Sequence, residues 1–172
     1  MDARFQRDLV ELVPRLRRFA YALTGSSDAG DDLVQAACER ALRSAEQFRA
    51  GTRMDSWMFR IMQNLWLDDR RRRRVRGTQV DPELAGLSDD GKGARQLDDQ
   101  VALAQVRAAV DALPDDQRSV LVLVAIEGLN YREAAEVLEL PMGTVMSRLA
   151  RARARLMEMT QLHPEKSGAW AG

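Results

Sequence analysis

The chain has 172 residues, 45% of them hydrophobic and 30% charged, a composition that fits a folded, helix-rich protein and excludes a disordered one. Its 26 basic and 26 acidic residues cancel, so bulk attraction to polyanions is excluded and any nucleic-acid binding must come from local patches. One cysteine (Cys38) and one histidine (His163) exclude an internal disulfide framework and a Cys/His zinc site, and no cofactor is expected.

The first segment, MDARFQRDLVELVPRLRRFA, alternates charged with apolar residues, which is not the pattern of a signal peptide. No apolar run approaches the ~18 residues of a membrane span, so no membrane insertion is expected and the predicted location is cytoplasmic. Phe5, Leu9, Leu12, Leu16, Phe19 and Leu23 recur at helical spacing up to Gly25, with Pro14 predicted to kink or divide that helix. A second helix is predicted from about Asp28 to Gln47, its early carboxylates placed where the helix dipole favours them. A third begins near Asp55, sets Met58, Ile61, Met62 and Leu65 on one stripe, and runs into Arg70 to Arg76, six arginines in seven residues. Residues Gly77 to Asp98 hold four glycines, a proline and a surplus of carboxylates without an apolar period, and read as a linker.

Beyond it, Val101, Ala104, Val106, Ala108 and Val110 predict an apolar helix ending before LPDD, and a further helix spans about Asp115 to Ile126, stopped by Gly128. Asn130 with Glu133 three residues on has the form of a capping box for a short helix, Tyr131 to Leu138. A break at Glu139 to Gly143 follows, with Thr144 predicted to cap the last helix. Two helices joined by a glycine-containing turn, the second basic, form a helix-turn-helix candidate. Within PMGTVMSRLARARARL, which carries four arginines and no carboxylate, Val145, Leu149, Ala152 and Leu156 share an apolar line. Ser147, Ala150, Arg151 and Ala154 point the other way, between Arg148 and Arg155 on one flank and Met146 and Arg153 on the other. Small residues between arginines let the backbone approach a groove while guanidinium groups reach bases or phosphates. Trp57 and Trp66 are predicted to be core residues, Cys38 a small buried one, and the Arg70–Arg76 tract a contact for a polyanion.

The stretch Leu113 to Leu156, with its Leu-Pro, Gly-Leu-x-Tyr-x-Glu-x-Ala and Pro-x-Gly-Thr-Val-x-Ser-Arg-Leu-x-Arg-Ala-Arg pattern, closely resembles region 4 of extracytoplasmic function (ECF) sigma factors. DDLVQAACERAL, Asp31 to Leu42, resembles their region 2.2, and Phe48 to Arg74 resembles regions 2.3 and 2.4. The resemblance implies an all-α fold of two small helical domains joined by a flexible linker: a region 2 bundle (1–76), a linker (77–98), a region 4 helix-turn-helix (99–160) and a mobile tail (161–172). It implies core RNA polymerase, promoter DNA and an anti-sigma factor as partners, in a stress-responsive initiation factor.

Carried over by residue, Asp31, Asp32, Gln35 and Arg40 resemble the surface that docks on core polymerase. The loop from Arg49 to Asp55 resembles the one that captures a flipped base of the −10 element, with donors on Arg49, Thr52 and Arg53. Asn64, Asp68, Arg71 and Arg72 lie on the helix facing the same element. Thr144, Met146, Ser147, Arg148, Arg151 and Arg155 belong to the −35 recognition helix, of which Ser147, Arg148 and Arg151 match the family's readers. Met146 stands where many members carry Lys or Arg, and Ala36-Ala37-Cys38 replaces the commoner Glu-Thr-Phe. No catalytic constellation occurs, so the chain is not expected to be an enzyme. Two other readings remain beside this one: a stand-alone helix-turn-helix regulator, and a sigma-mimicking protein that sequesters an anti-sigma factor.

Overall fold

The apolar stripe of the first segment is realised on one uninterrupted helix, α1 (Ala3–Thr24). The structure, a computed structural model, describes residues 3–49, 51–77 and 94–160, with side chains from residue 99 onward in the last stretch. Pro14 does not divide α1. An interior proline costs about 3 kcal/mol or more, but Phe5, Leu9, Leu16, Phe19 and Leu23 are all buried, and each such burial stabilises by roughly 1.5–3 kcal/mol. Pro14 itself is exposed and Val10, four residues before it, is 68% exposed, so the interrupted ladder faces away from the core.

The second helix, α2 (Ser27–Arg43), starts where the Ser26 side chain accepts a hydrogen bond from the Ala29 N–H at 3.3 Å. It ends short of the predicted Gln47, and a single 3₁₀ turn, Ala45–Gln47, completes the segment. The third, α3 (Met54–Val75), buries Met58, Phe59, Met62 and Trp66 and carries the arginine tract as its last turns. Phe19 meets Phe59 with ring centroids 4.6 Å apart. Trp57 packs half-buried against Phe5 and Phe48, at 6.1 and 5.2 Å, so both tryptophans are structural here.

The second half opens with α4 (Ala94–Asp111), which begins inside the stretch read as linker. The predicted helix forms, with its apolar residues unequally buried: Val101 and Ala108 are exposed, Val110 is half-buried against the core, and Ala109 and Leu113 are the buried positions. The helix touches α7 along one side and places Arg107 over the Tyr21 ring at 3.5 Å, so its rotation follows those neighbours and not the valine spacing. The next helix, α5 (Asp115–Leu121), widens into a π turn over Val122–Ile126, closed by a Glu127 N–H to Val122 O bond of 3.0 Å. Gly128 follows at φ +70°, a left-handed conformation that glycine adopts without steric cost.

The capping box forms as predicted on α6 (Tyr131–Leu138): Glu133 N–H donates to Asn130 Oδ1 and Asn130 N–H to Glu133 Oε2, both at 2.9 Å. Glu139 ends the helix at φ 54°. The last helix, α7 (Met142–Thr160), begins earlier than predicted. The Thr144 and Val145 N–H groups donate to Pro141 O at 3.0 and 3.2 Å, so Thr144 sits inside the first turn and does not cap it. Val145, Leu149, Ala152 and Leu156 are buried, as their spacing requires.

Among the described residues all regular structure is helical, without a strand. The buried side chains of both halves form one continuous cluster, in which α3 lies against α6 and α1 against the π turn. The predicted flexible span falls largely on 78–93, and His163 and the tail on 161–172; these lie outside the described residues.

Candidate nucleic-acid and polymerase interface

The exposed side of α7 is built by what the other side buries. With the Val145–Leu156 line fixed in the core, Ser147, Ala150, Arg151 and Arg155 are exposed, and Met146 is 48% exposed. Arg151 and Arg155 have no partner among the described residues, which leaves their donors free for a phosphate or a base edge. Arg148 is placed differently. It leans toward α5 and pairs with Asp116 at 3.4 Å, its side chain 28% exposed. Ser147 donates its hydroxyl to Thr144 O at 3.1 Å, so it is oriented by the turn it stands on.

On α2, burial of Leu33, Val34, Ala37 and Ala41 turns Asp31, Asp32, Gln35 and Arg40 outward. Asp31 takes Arg17 at 3.1 Å and Gln35 donates to Glu39 at 3.2 Å; Asp32 and Arg40 are exposed as well. All four predicted docking residues are therefore open to solvent, spread around the unburied side of α2. Burial pushes the Cys38 thiol up, away from the reactive thiolate range.

Arg49, Thr52 and Arg53 lie exposed in the loop before α3, with Gly51 at φ +92° forming the turn. Asn64, Arg71 and Arg72 are exposed on α3, and half-buried Asp68 holds Arg71 at 3.4 Å. The sequence-predicted residues on this side are thus exposed apart from half-buried Asp68, but Arg53 is also drawn into a network that sequence reasoning missed. Its guanidinium forks onto Asp55 at 3.1 and 2.7 Å and also reaches Glu133 of α6.

The network continues across the contact between the halves. Arg15 of α1 donates to Asp55 at 2.6 Å and to Glu127 at 2.8 Å, and Arg18 joins Glu127 at 3.3 Å. The Glu127 side chain is fully buried, and the π turn is what aims it back at α1. Burial of Asp55 raises its carboxyl pKa, but hydrogen bonds from Arg53, Arg15 and the Ser56 N–H overcome this and hold it at about 2. Arg60 donates to the Glu136 carbonyl at 2.7 Å and lies 3.5 Å from the Glu139 carboxylate. Arg70 reaches one oxygen of Asp115 at 3.0 Å, and Arg74, one turn later, reaches the other. Gln63 donates to the Ser119 hydroxyl inside the core.

Buried Arg118 crosses the other way: it donates to Leu23 O at 2.8 Å and to Asp111 O, with Trp66 5.7 Å beneath. Burial lowers the pKa of its guanidinium. None of Asp115, Arg118 or Glu127 carries a spacing signal, because each is matched to a residue in the distant half. The described residues hold no group of three or more His, Cys, Asp or Glu side chains that could take a metal ion. No described helix is long and apolar enough to cross a membrane.

Comparisons with known proteins match both halves. The family described as the Sigma2 domain of PhyR covers residues 9–63, and the one described as Sigma-70, region 4, covers 103–156. A protein of Rhodopseudomonas palustris (strain TIE-1), named ECF RNA polymerase sigma factor EcfG, is 38% identical over 151 residues, 87% of this chain and 81% of that one. ECF RNA polymerase sigma factor SigE of Mycolicibacterium smegmatis is 34% identical over 155 residues; the match spans 89% of this chain and 60% of that longer one. Among solved structures, the sigma factor RpoE of Bartonella quintana, in complex with the anti-sigma factor NepR, superposes with a TM-score of 0.76 at 28% identity. That match covers 94% of this chain and 99% of the other.

Proposed function

Because the chain belongs to the ECF RNA polymerase sigma factors, we propose that it binds core polymerase through its first half and reads promoter DNA with both. The observation that carries this is α7: one face is locked into the core while Ser147, Ala150 and Arg151 stand exposed and Arg151 has no partner among the described residues. A helix so placed, preceded by a capped helix and a tight turn, can enter the major groove with its small-residue side inward.

In this reading residues 1–76 are the polymerase and −10 unit, 77–98 the connection, 99–160 the −35 unit and 161–172 a tail. Asp31, Asp32, Gln35 and Arg40 form the polymerase face. Arg49, Thr52, Arg53, Asn64, Asp68, Arg71 and Arg72 take the −10 element, and Met146, Ser147, Arg148, Arg151 and Arg155 the −35 element, with Thr144 setting the first turn beneath them. Arg72 and Arg76, exposed at the end of α3, supply phosphate contacts that position the duplex. The chemistry of initiation belongs to the polymerase, and this chain catalyses none of it. It works in the cytoplasm beside its polymerase. The likeness to a sigma factor bound by NepR supports an anti-sigma factor as regulatory partner, released in response to stress.

The test is in vitro transcription with core polymerase and the purified protein on a genomic promoter library, with gel shifts run with and without core. Discrete new start sites sharing two upstream elements support the proposal. Specific DNA binding without polymerase, and no new starts, would establish a stand-alone regulator. No DNA binding under any condition, with tight binding to an anti-sigma factor, would establish a mimic.

A further inference from the structure

The exposed side of α7 is not uniform. Each residue of a helix turns the chain by about 100°, so with the Val145–Leu156 line in the core the outward face has two flanks. Arg151 and Arg155 make one of them. Met146 and Ala150 make the other, and Met142, one turn earlier at the start of the helix, adjoins it. Met142 is 50% exposed and Met146 48%.

Two polar side chains near this end of the helix are engaged by the protein itself. Ser147 donates its hydroxyl to Thr144 O at 3.1 Å, and Arg148 is turned to Asp116 at 3.4 Å. The groups left facing outward here are therefore chiefly two thioethers and the Ala150 methyl. In a helix-turn-helix, the N-terminal residues of the second helix are the ones that meet base edges. An arginine or lysine at 146 would seek a phosphate or a guanine edge. A thioether offers no donor and only a weak acceptor, but it is polarisable and flexible and fits itself to an apolar surface. Among the groups that base pairs show in the major groove, the C5-methyl of thymine is the apolar one.

We propose that Met146 is a specificity-determining residue that packs its thioether on the C5-methyl group of a −35 thymine, with Ala150 leaving room for the base edge and Met142 flanking the contact. This rests on the reading that α7 enters the major groove at −35, and it adds the base and the chemical group that are read. Met146 and Arg151 lie five residues apart, about 7.5 Å along the helix axis at 1.5 Å per residue. That is about two base-pair steps of 3.4 Å, so the thymine falls a few pairs from the base that meets Arg151. The two flanks divide the work: hydrogen bonds on the arginine side, methyl contact on the methionine side.

The experiment replaces thymine by uracil, which removes the methyl group and leaves base pairing unchanged. Duplex promoters recovered from the transcription library carry one uracil at each −35 thymine in turn, on either strand. Occupancy is measured by competition binding of holoenzyme built from core polymerase and the full chain. With the parent chain, uracil at one position should weaken occupancy by about fourfold, as for one buried methyl group, and the other positions should not respond. With Met146→Ala, thymine and uracil at that position should bind alike, and the thymine promoter should lose at least as much as uracil cost the parent. Met146 is exposed, so this variant should melt like the parent.

Equal occupancy for thymine and uracil at every position overturns the proposal, as does a −35 element without an A·T pair. A uracil penalty that persists in Met146→Ala also overturns it, since another group would then be reading the methyl. A promoter with the whole −35 element scrambled separates the two levels. If occupancy by the parent does not fall, α7 does not read this element and the underlying reading fails. If it falls while thymine and uracil remain equal, methyl readout alone is refuted.

Discussion

Replacing Arg151 by alanine should damage promoter recognition while leaving the fold untouched. The side chain is exposed and engages no partner among the described residues, so its removal opens no cavity and orphans no carboxylate. A surface change of this kind moves stability by about 0.5 kcal/mol or less. A bidentate contact to a base is worth about 1–3 kcal/mol of discrimination, roughly five- to 150-fold in promoter occupancy. Arg148 provides the contrast, because its pairing with Asp116 at 3.4 Å ties it to α5 and its loss also removes a contact worth up to about 1 kcal/mol to the fold. The assay is holoenzyme transcription at limiting DNA from the cognate promoter and from versions with single substitutions in the −35 element, alongside thermal melting. Arg151→Ala should lose activity on the cognate promoter and flatten the response to one −35 position. Undiminished transcription would show that the wrong face of α7 has been assigned to DNA. An equal loss on every −35 variant would make Arg151 a phosphate contact and refute base readout.

Leu149 is 2% exposed in the α7 line, so Leu149→Asp buries a carboxylate without a partner and should unfold the second half, at a cost of several kcal/mol; a native-like melting curve for this variant would contradict the packing described. Asp55, ordinarily near 3.8 and held at about 2 by Arg53 and Arg15, gives a pH prediction. A depressed carboxyl contributes stability above its unfolded value, here about 2 kcal/mol, and this is lost as pH falls from about 4 through about 2. The melting-temperature gap between the parent and Asp55→Asn should be full at neutral pH and close toward pH 2; a gap that persists at pH 2 would show that the ion pairs are not its source.

Local patterns carried much of this molecule into view. The α1 stripe, the Asn130–Glu133 capping box, the stop at Gly128 and the buried Val145–Leu149–Ala152–Leu156 line each depend on residues within a few positions of one another, and such spacing is visible in a string. The motif from Leu113 to Leu156 likewise marks the region 4 half, because the turn and the helices around it are contiguous in the chain. The outward placement of Asp31, Asp32, Gln35 and Arg40 follows from the helical repeat once the buried side is known.

Where tertiary contact overruled a local preference, the string misled. Pro14 was tolerated inside α1 because five buried neighbours outweigh one interrupted ladder. Val101 of α4 stayed exposed while Ala109 took the buried position, because α7 and Tyr21 set that helix's rotation, and Thr144 entered the first turn of α7. The contact between the halves lay further still from view. Arg15 and Glu127 are 112 residues apart, and Arg70 and Asp115 are 45 apart. Before folding, each reads as an ordinary surface charge among 26 of either sign. The sequence by itself determined the helices, the recognition motif and the family. Only the tertiary structure decided which arginines stay without a partner among the described residues and which meet carboxylates of the other half, since partner choice between distant charges is set by how buried surfaces bring the helices together.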